Sequence, residues 1–548
     1  VNGVNILVPK VYLSKETLAS LGNNQTGMMA GNGMNISAVE VNNTGSIKSN
    51  GSITVNTEEF LNKSVLGDFK ALIAGNDIEI VSVNDIKNIG AEISAENTVS
   101  LESIKGSIWN KSTARVNDLT YKIDSDIENT AKISGTNISI KAGENYTNTA
   151  ALVEGKGNVD IAAKEVVIDT IEMHDYEKQG GKKNYTITES YTNAGSVITG
   201  ENISISADKN INIKGSDIIA DSELRLKAGE DVNLTASIDS DYYEHQESKK
   251  KSFGRGKSKT EVKYSTSHNG TNLIGENVSI ESGKDTVIIG SNIQAGPEGS
   301  AVINAGGDIV QAAVKDINYS YKKTTKTGFL GFTGSSKSTE QYKEEAVKSN
   351  TISGIGGTSY DAGNGILLEG VTVVSTGNIT LKGKEVAINP VETQAYQEEI
   401  KKKKGFSSSF SGGTASFSYG KSKDEIKTTQ TTNTASTIVS QGKVDIEATG
   451  GKAVLKSVDI YGETGIDIKG HEGVELIVAK DKTTVDEKHK SSSIGVSVGV
   501  AGSIKTTIDN VKDIDKLTDF GGNSYDIANT ASDLVGAIKE GAEAINKV

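Results

Sequence analysis

The chain has 548 residues, a formal net charge of −13, 35% hydrophobic residues, 60 glycines, three prolines and no cysteine. So little apolar material spread over so long a chain argues against a thick globular core. Recurrent Ile and Val argue against disorder, the missing cysteines exclude a disulfide framework, and the acidic balance disfavours a nucleic-acid partner. Only Arg115, Arg225 and Arg255 carry guanidinium groups, the preferred side chain for bidentate base and phosphate reading, which weakens that reading further.

In chain order, the first structural signal after the opening Leu7-Val8-Pro9-Lys10-Val11-Tyr12-Leu13 is a series of apolar–polar–apolar doublets beside turn residues. Ile78/Ile80 follows Ala74-Gly75-Asn76-Asp77, and Ile138/Ile140 precedes Ala142-Gly143-Glu144-Asn145. Between Gly200 and Ser237 the repeat is explicit: Ile203/Ile205 returns as Leu224/Leu226, and Ile211/Ile213 returns at the same spacing as Val232/Leu234. Val278/Ile280, Ile303, Val444/Ile446, Ile466/Ile468 and Val474/Leu476 continue it. Alternation at period two marks short strands. Two or three such strands per ~21 residues suit a coil that advances one strand spacing per turn, with equivalent residues stacked in columns.

Five Lys-, Ser- and Tyr-rich excursions interrupt the repeat about every two coils. They run from Tyr176 to Tyr191, Tyr242 to Tyr264, Tyr319 to Tyr342, Tyr396 to Tyr419 and Asp486 to Ile504. Inside them Phe406/Phe410, Phe417/Tyr419 and Ile494/Val496/Val498/Val500 alternate with Ser or Gly, and Phe329/Leu330/Phe332 forms a shorter cluster. Strands apolar on one face and small on the other, flanked by lysines such as Lys401 to Lys404, resemble membrane-barrel strands with headgroup-level cations. These eleven residues are the candidate membrane contacts. Packing of the same hairpins back onto the coil is the plainer alternative. Beyond residue 505, Ile508, Val511, Ile514 and Leu517, then Ile527, Ala531, Leu534, Val535, Ile538, Ala542 and Ile545, follow helical spacing.

No catalytic constellation emerges. His174, His245, His268, His471 and His489 show no metal-ligand spacing and read as solvated side chains. Asp124/Asp126 and Asp239/Asp241 are the closest candidates for the paired carboxylates of glycosidic chemistry, and their surroundings read as loop edges serving turns. No cofactor, metal or small-molecule substrate is expected.

The opening segment, with Gly31-Asn32-Gly33-Met34-Asn35-Ile36 and Asn43-Thr44-Gly45-Ser46-Ile47, and the recurring G-x-N-[IV]-x-I … AG-x-D-[IV]-x-[LI] unit resemble the haemagglutinin-repeat region of two-partner-secretion exoproteins. That group includes filamentous haemagglutinins and the effectors of contact-dependent growth inhibition. The resemblance covers about residues 1–505. It implies an all-β, right-handed parallel β-helix with protruding hairpins, export through a dedicated outer-membrane transporter, and display on the bacterial surface. It further implies contact with a target-cell outer membrane or receptor that lets a C-terminal toxin pass, or else service as the shaft of an adhesin. The expected organisation is a β-helix start over 1–170, a haemagglutinin-repeat β-helix with excursions over 171–505, and an amphipathic helical tail, pre-toxin-like or a cap, over 506–548.

Overall fold

In the computed structural model, residues 28–65, 70–328, 331–411 and 414–499 are described. Among them there is no α-helix, and strands fall into two sheets. The expected opening segment at 7–13 and the helical tail at 506–548 lie outside the described residues.

The larger sheet has 36 strands and winds as a parallel coil of three faces. One coil shows the design. Val197–Ala207 supplies the first face and, after a bend at Gly200–Asn202, the second; Ile211–Lys214 supplies the third. The next coil stacks in parallel register, so that Ile203 lies against Leu224, Ile205 against Leu226, Ile211 against Val232 and Ile213 against Leu234. Those are the pairs that the repeat spacing predicts. All eight are fully buried. No single coil can hide such doublets; stacking neighbours does so and fills the tube with one continuous Ile, Val and Leu column from Ile47 to Leu455. The column passes residue 170 without a break, between Ile168 and Ile198. At the last described coil the inward-pointing Ile466 and Val474 are part-exposed and Leu476 is 76% exposed.

Among the described residues, excursions leave the coil at one corner, between the third and first faces, and from Ile108–Lys111 onward they do so at every second turn. Third-face strands Ile108–Lys111, Glu165–Asp169, Val232–Thr235, Ile309–Ala312, Glu385–Asn389 and Gly473–Ile477 each lead into one. At the intervening turns the same corner is closed within a residue or two. There the chain turns through the left-handed region at Gly90, Ala150, Gly215, Gly290, Gly370 and Ser457, with φ between 41° and 61°. Glycine dominates that set for two reasons: the conformation disfavours a Cβ, and the base of the next excursion sits directly above. A Cβ on Gly370 would come within 2.5 Å of Val391, and one on Gly290 within 2.7 Å of Val314.

The first described coils carry a polar line inside the apolar tube. Asn43, Asn62, Asn88, Asn110 and Asn148 stack on the third face, each side-chain amide donating to the next at 2.7–2.8 Å. From Ile168 onward the same position is mostly aliphatic.

Candidate functional site

The excursions do not fold back on the coil. They zip together into a second, antiparallel sheet of 11 strands. From one edge to the other its order is Thr113–Leu119, Lys122–Asn129, Ile171–Gly180, Tyr185–Ala194, Ser237–Lys250, Gly256–Asn269, Val314–Thr327, Gly334–Val347, Val391–Ser411, Thr414–Thr434 and Lys482–Gly499. The expected excursions are thus real but longer than read, and a further one, Thr113 to Asn129, went unread. For the last, the strand ends at Gly499 and the rest lies outside the described residues. Apart from the bases at Ser237, Val391 and Thr393, the strands' described side chains are half-buried or exposed on both faces, and their neighbours are one another. A single-layer sheet therefore stands off the rod, and the packed-back alternative is not what the chain adopts.

Strand lengths grade along the sheet, from 7 and 8 residues in the first hairpin through 10 and 14 to 21 in the fifth. At ~3.3 Å per residue the fifth reaches about 70 Å from the coil. Its distal end carries the candidate contacts. Phe406 is paired directly with Tyr419, and Tyr419 with Ile494 on the neighbouring edge strand. The Phe406 and Tyr419 rings lie 5.1 Å apart, and Phe332, from the tip of the preceding hairpin, stands 6.5 Å from Phe406. Phe332, Phe406 and Ile494 are 54%, 67% and 84% exposed, which is an unpartnered apolar cluster built from separate hairpins. Phe410, Phe417, Val496 and Val498 continue the same alternation by backbone register, Ser408 facing Phe417 and Phe417 facing Val496. Their side chains, and the whole of Phe329, Leu330 and Val500, lie outside the described residues. The opposite face is small and polar; Ser407 and Ser418 hydrogen-bond across it at 2.6 Å.

Nearer the coil, the sheet carries charge pairs, the Lys337–Glu399 pair across strands and the others along one strand, and a row of aromatic rings. Lys337 and Lys401 both clasp Glu399, Lys423 clasps Glu425, and Lys259 clasps Glu261. These ammonium partners hold the three carboxyls below the usual carboxylate range. Tyr242, Tyr264, Tyr319, Tyr342 and Tyr396 sit side by side on successive strands, Tyr342 and Tyr396 stacked at 5.6 Å. Burial first, and then the hydrogen bond to Glu340, push the Tyr396 phenol up to about 12.

The residues weighed for catalysis are absorbed into this sheet. Asp124 and Asp126 lie within a strand, not at a loop edge, and so do Asp239 and Asp241. Asp239 accepts from the backbone and side-chain amides of Asn193 and from Asn269. The histidines other than His471 are likewise cross-strand partners: His174 with Glu189, His245 with Thr186, His268 with Asp316 and His489 with Asp424. Partial burial makes the first three part of the sheet's fabric rather than freely solvated.

The sequence periodicity and the hairpin periodicity coincide in one comparison. Residues 177–328 and 417–512 match the haemagglutinin repeat family model, starting within the second hairpin and ending beyond the last strand. Two stretches of the chain thus match haemagglutinin repeats. Among curated proteins the chain is 28% identical over 76% of its length to 16S rRNA endonuclease CdiA of Enterobacter cloacae. It is 26% identical over 93% of its length to tRNA nuclease CdiA of Escherichia coli strain STEC_O31. A tRNA nuclease CdiA-2 of Burkholderia pseudomallei is 28% identical over 43% of the chain. The chain spans only about 15% of the first two relatives. No solved structure matches it.

Proposed function

We propose that this haemagglutinin-repeat segment engages a target cell's outer membrane and supports delivery of a C-terminal toxin in contact-dependent inhibition. The parent would be a two-partner-secretion exoprotein, exported through its outer-membrane transporter and displayed at the bacterial surface. The observation that carries this reading is the Phe332–Phe406–Tyr419–Ile494 cluster, held far from the coil and left uncovered. A soluble rod has no use for an exposed aromatic cluster at the end of its longest hairpin, whereas a membrane interface covers one. In this reading the nuclease activity named for the relatives belongs to the part of those proteins that this chain does not match.

The test is flotation of the chain with liposomes, comparing it with a variant in which Phe406, Phe410, Phe417 and Tyr419 become Ser. The parent chain is expected to float and the variant to stay at the bottom, at least tenfold depleted from the lipid fraction. Equal flotation would remove the membrane role and leave the adhesin-shaft reading.

A further inference from the structure

Directly behind the apolar tip, on the same face, the fifth hairpin and its neighbours form a trough of about 590 Å³. Its walls are two rows across adjacent strands. One is Ser336, Lys402, Lys423 and Lys490; the other is Gly334, Lys404, Lys421 and Ser492. Lysine thus faces lysine directly: Lys402 opposes Lys423, Lys423 opposes Lys490, and Lys404 opposes Lys421. Among the described residues no carboxylate lines the trough. Lys423 reaches out of it to Glu425, and Lys402, Lys404, Lys421 and Lys490 have no carboxylate at ion-pair distance among the described residues.

Like charges opposed across strands destabilise a sheet; where Lys337 opposes Lys401 in a neighbouring row, Glu399 contacts both ammonium groups, whereas of the trough lysines only Lys423 contacts a carboxylate. A chain with net charge −13 has acids to spare for such pairing. Yet it leaves ammonium groups without a contact ion pair beside an exposed apolar cluster. We infer that the trough binds the phosphate of an anionic lipid headgroup, whose acyl chains lie against Phe406, Tyr419 and Ile494 one row further out. Compact, strongly hydrated ammonium groups suit a phosphate as point charges, and Ser336 and Ser492 add hydroxyls at the rims. The inference rests on the membrane reading above and gives that surface a preferred lipid class.

The test uses the full chain and a K402Q/K404Q/K421Q/K490Q variant. Each is mixed with vesicles of phosphatidylcholine alone and with vesicles in which phosphatidylglycerol replaces a third of it. A third arm titrates inorganic pyrophosphate without membranes. The parent is expected to prefer phosphatidylglycerol vesicles, and the variant to lose that preference by about tenfold or more while keeping its phosphatidylcholine binding. The variant is also expected to lose pyrophosphate binding and to unfold no earlier than the parent, since the substitutions remove repulsion. Unchanged preference in the variant overturns the inference. Pyrophosphate binding lost in the variant, with no vesicle binding by either chain, retains the phosphate site and removes the membrane reading. No preference for phosphatidylglycerol and no pyrophosphate binding by the parent overturns the site outright.

Discussion

At the scale of single residues, the structure turns on positions where a side chain has no alternative partner. Asn88 sits mid-way in the buried amide line, receiving from Asn62 and donating to Asn110, Ala91 and Lys132. Asn88→Ala strands the Asn110 oxygen in an apolar tube, and a loss of about 2–3 kcal/mol is expected in denaturant unfolding. A change no larger than an ordinary surface substitution gives, within about 0.5 kcal/mol, would mean that the line carries no stability. The left-handed corners give a paired test. Gly370→Ala is expected to destabilise by about 2 kcal/mol, from the strained φ and the clash with Val391. Ala150→Gly relieves the equivalent strain and is expected to stabilise by about 1 kcal/mol. The aliphatic doublets were legible because period two and a fixed return distance leave few other folds. The asparagine line was not, because asparagine in a glycine-rich chain reads as a turn residue and only the stack shows its neighbours.

At the scale of elements, the hairpins depend on charge where the coil depends on apolar burial. Glu261, Glu399 and Glu425 have folded-state pKa values depressed below the usual 4.5 by their lysines. Their contribution is therefore complete above about pH 4.5 and drains as pH falls through the lower folded values. The tyrosine row lies wholly in this sheet, so its share of the near-ultraviolet tyrosine circular dichroism is expected to fade as pH falls below about 4.5, leaving that of Tyr146 and Tyr360 in the coil. The far-ultraviolet strand signal of the coil should persist over the same range. A single coincident loss of both signals would contradict separate stabilisation of the two sheets. The excursions were legible as breaks in the repeat rich in Lys and Tyr. The first of them, Thr113–Asn129, has one tyrosine and one lysine, Tyr121 and Lys122, and offered no such contrast. That the hairpins pair with one another follows from where they leave the coil, and no local pattern encodes that.

At the scale of the molecule, one dimension links the two sheets. Adjacent coils rise by one strand spacing, about 4.8 Å, so two coils rise by about 9.6 Å. A hairpin contributes two strands to a sheet and so needs the same two spacings. Excursions at every second turn of one corner are therefore commensurate with the rod, and the antiparallel sheet grows alongside it strand for strand. Denser spacing would crowd the hairpins; sparser spacing would leave each one isolated and marginal. The graded lengths then set a slope that brings the apolar cluster and lysine trough to the far end of the longest strands. The candidate contacts were legible residue by residue as alternating apolar positions. Their assembly from three excursions required this register.

The most direct test of that register is a disulfide cross-link in a chain that has no cysteine of its own. Gln341 and Gln397 face one another on strands of different hairpins, at the separation of roughly 4.5–5.5 Å typical of antiparallel partners and within disulfide reach. Gln341→Cys combined with Gln397→Cys is expected to oxidise to an intramolecular disulfide nearly quantitatively. Gln341→Cys with Asp445→Cys, the latter on the coil, should not oxidise within the molecule. Failure of the first pair to cross-link while the fold stays intact, or equal cross-linking of the second, would contradict a continuous sheet of hairpins standing off the rod.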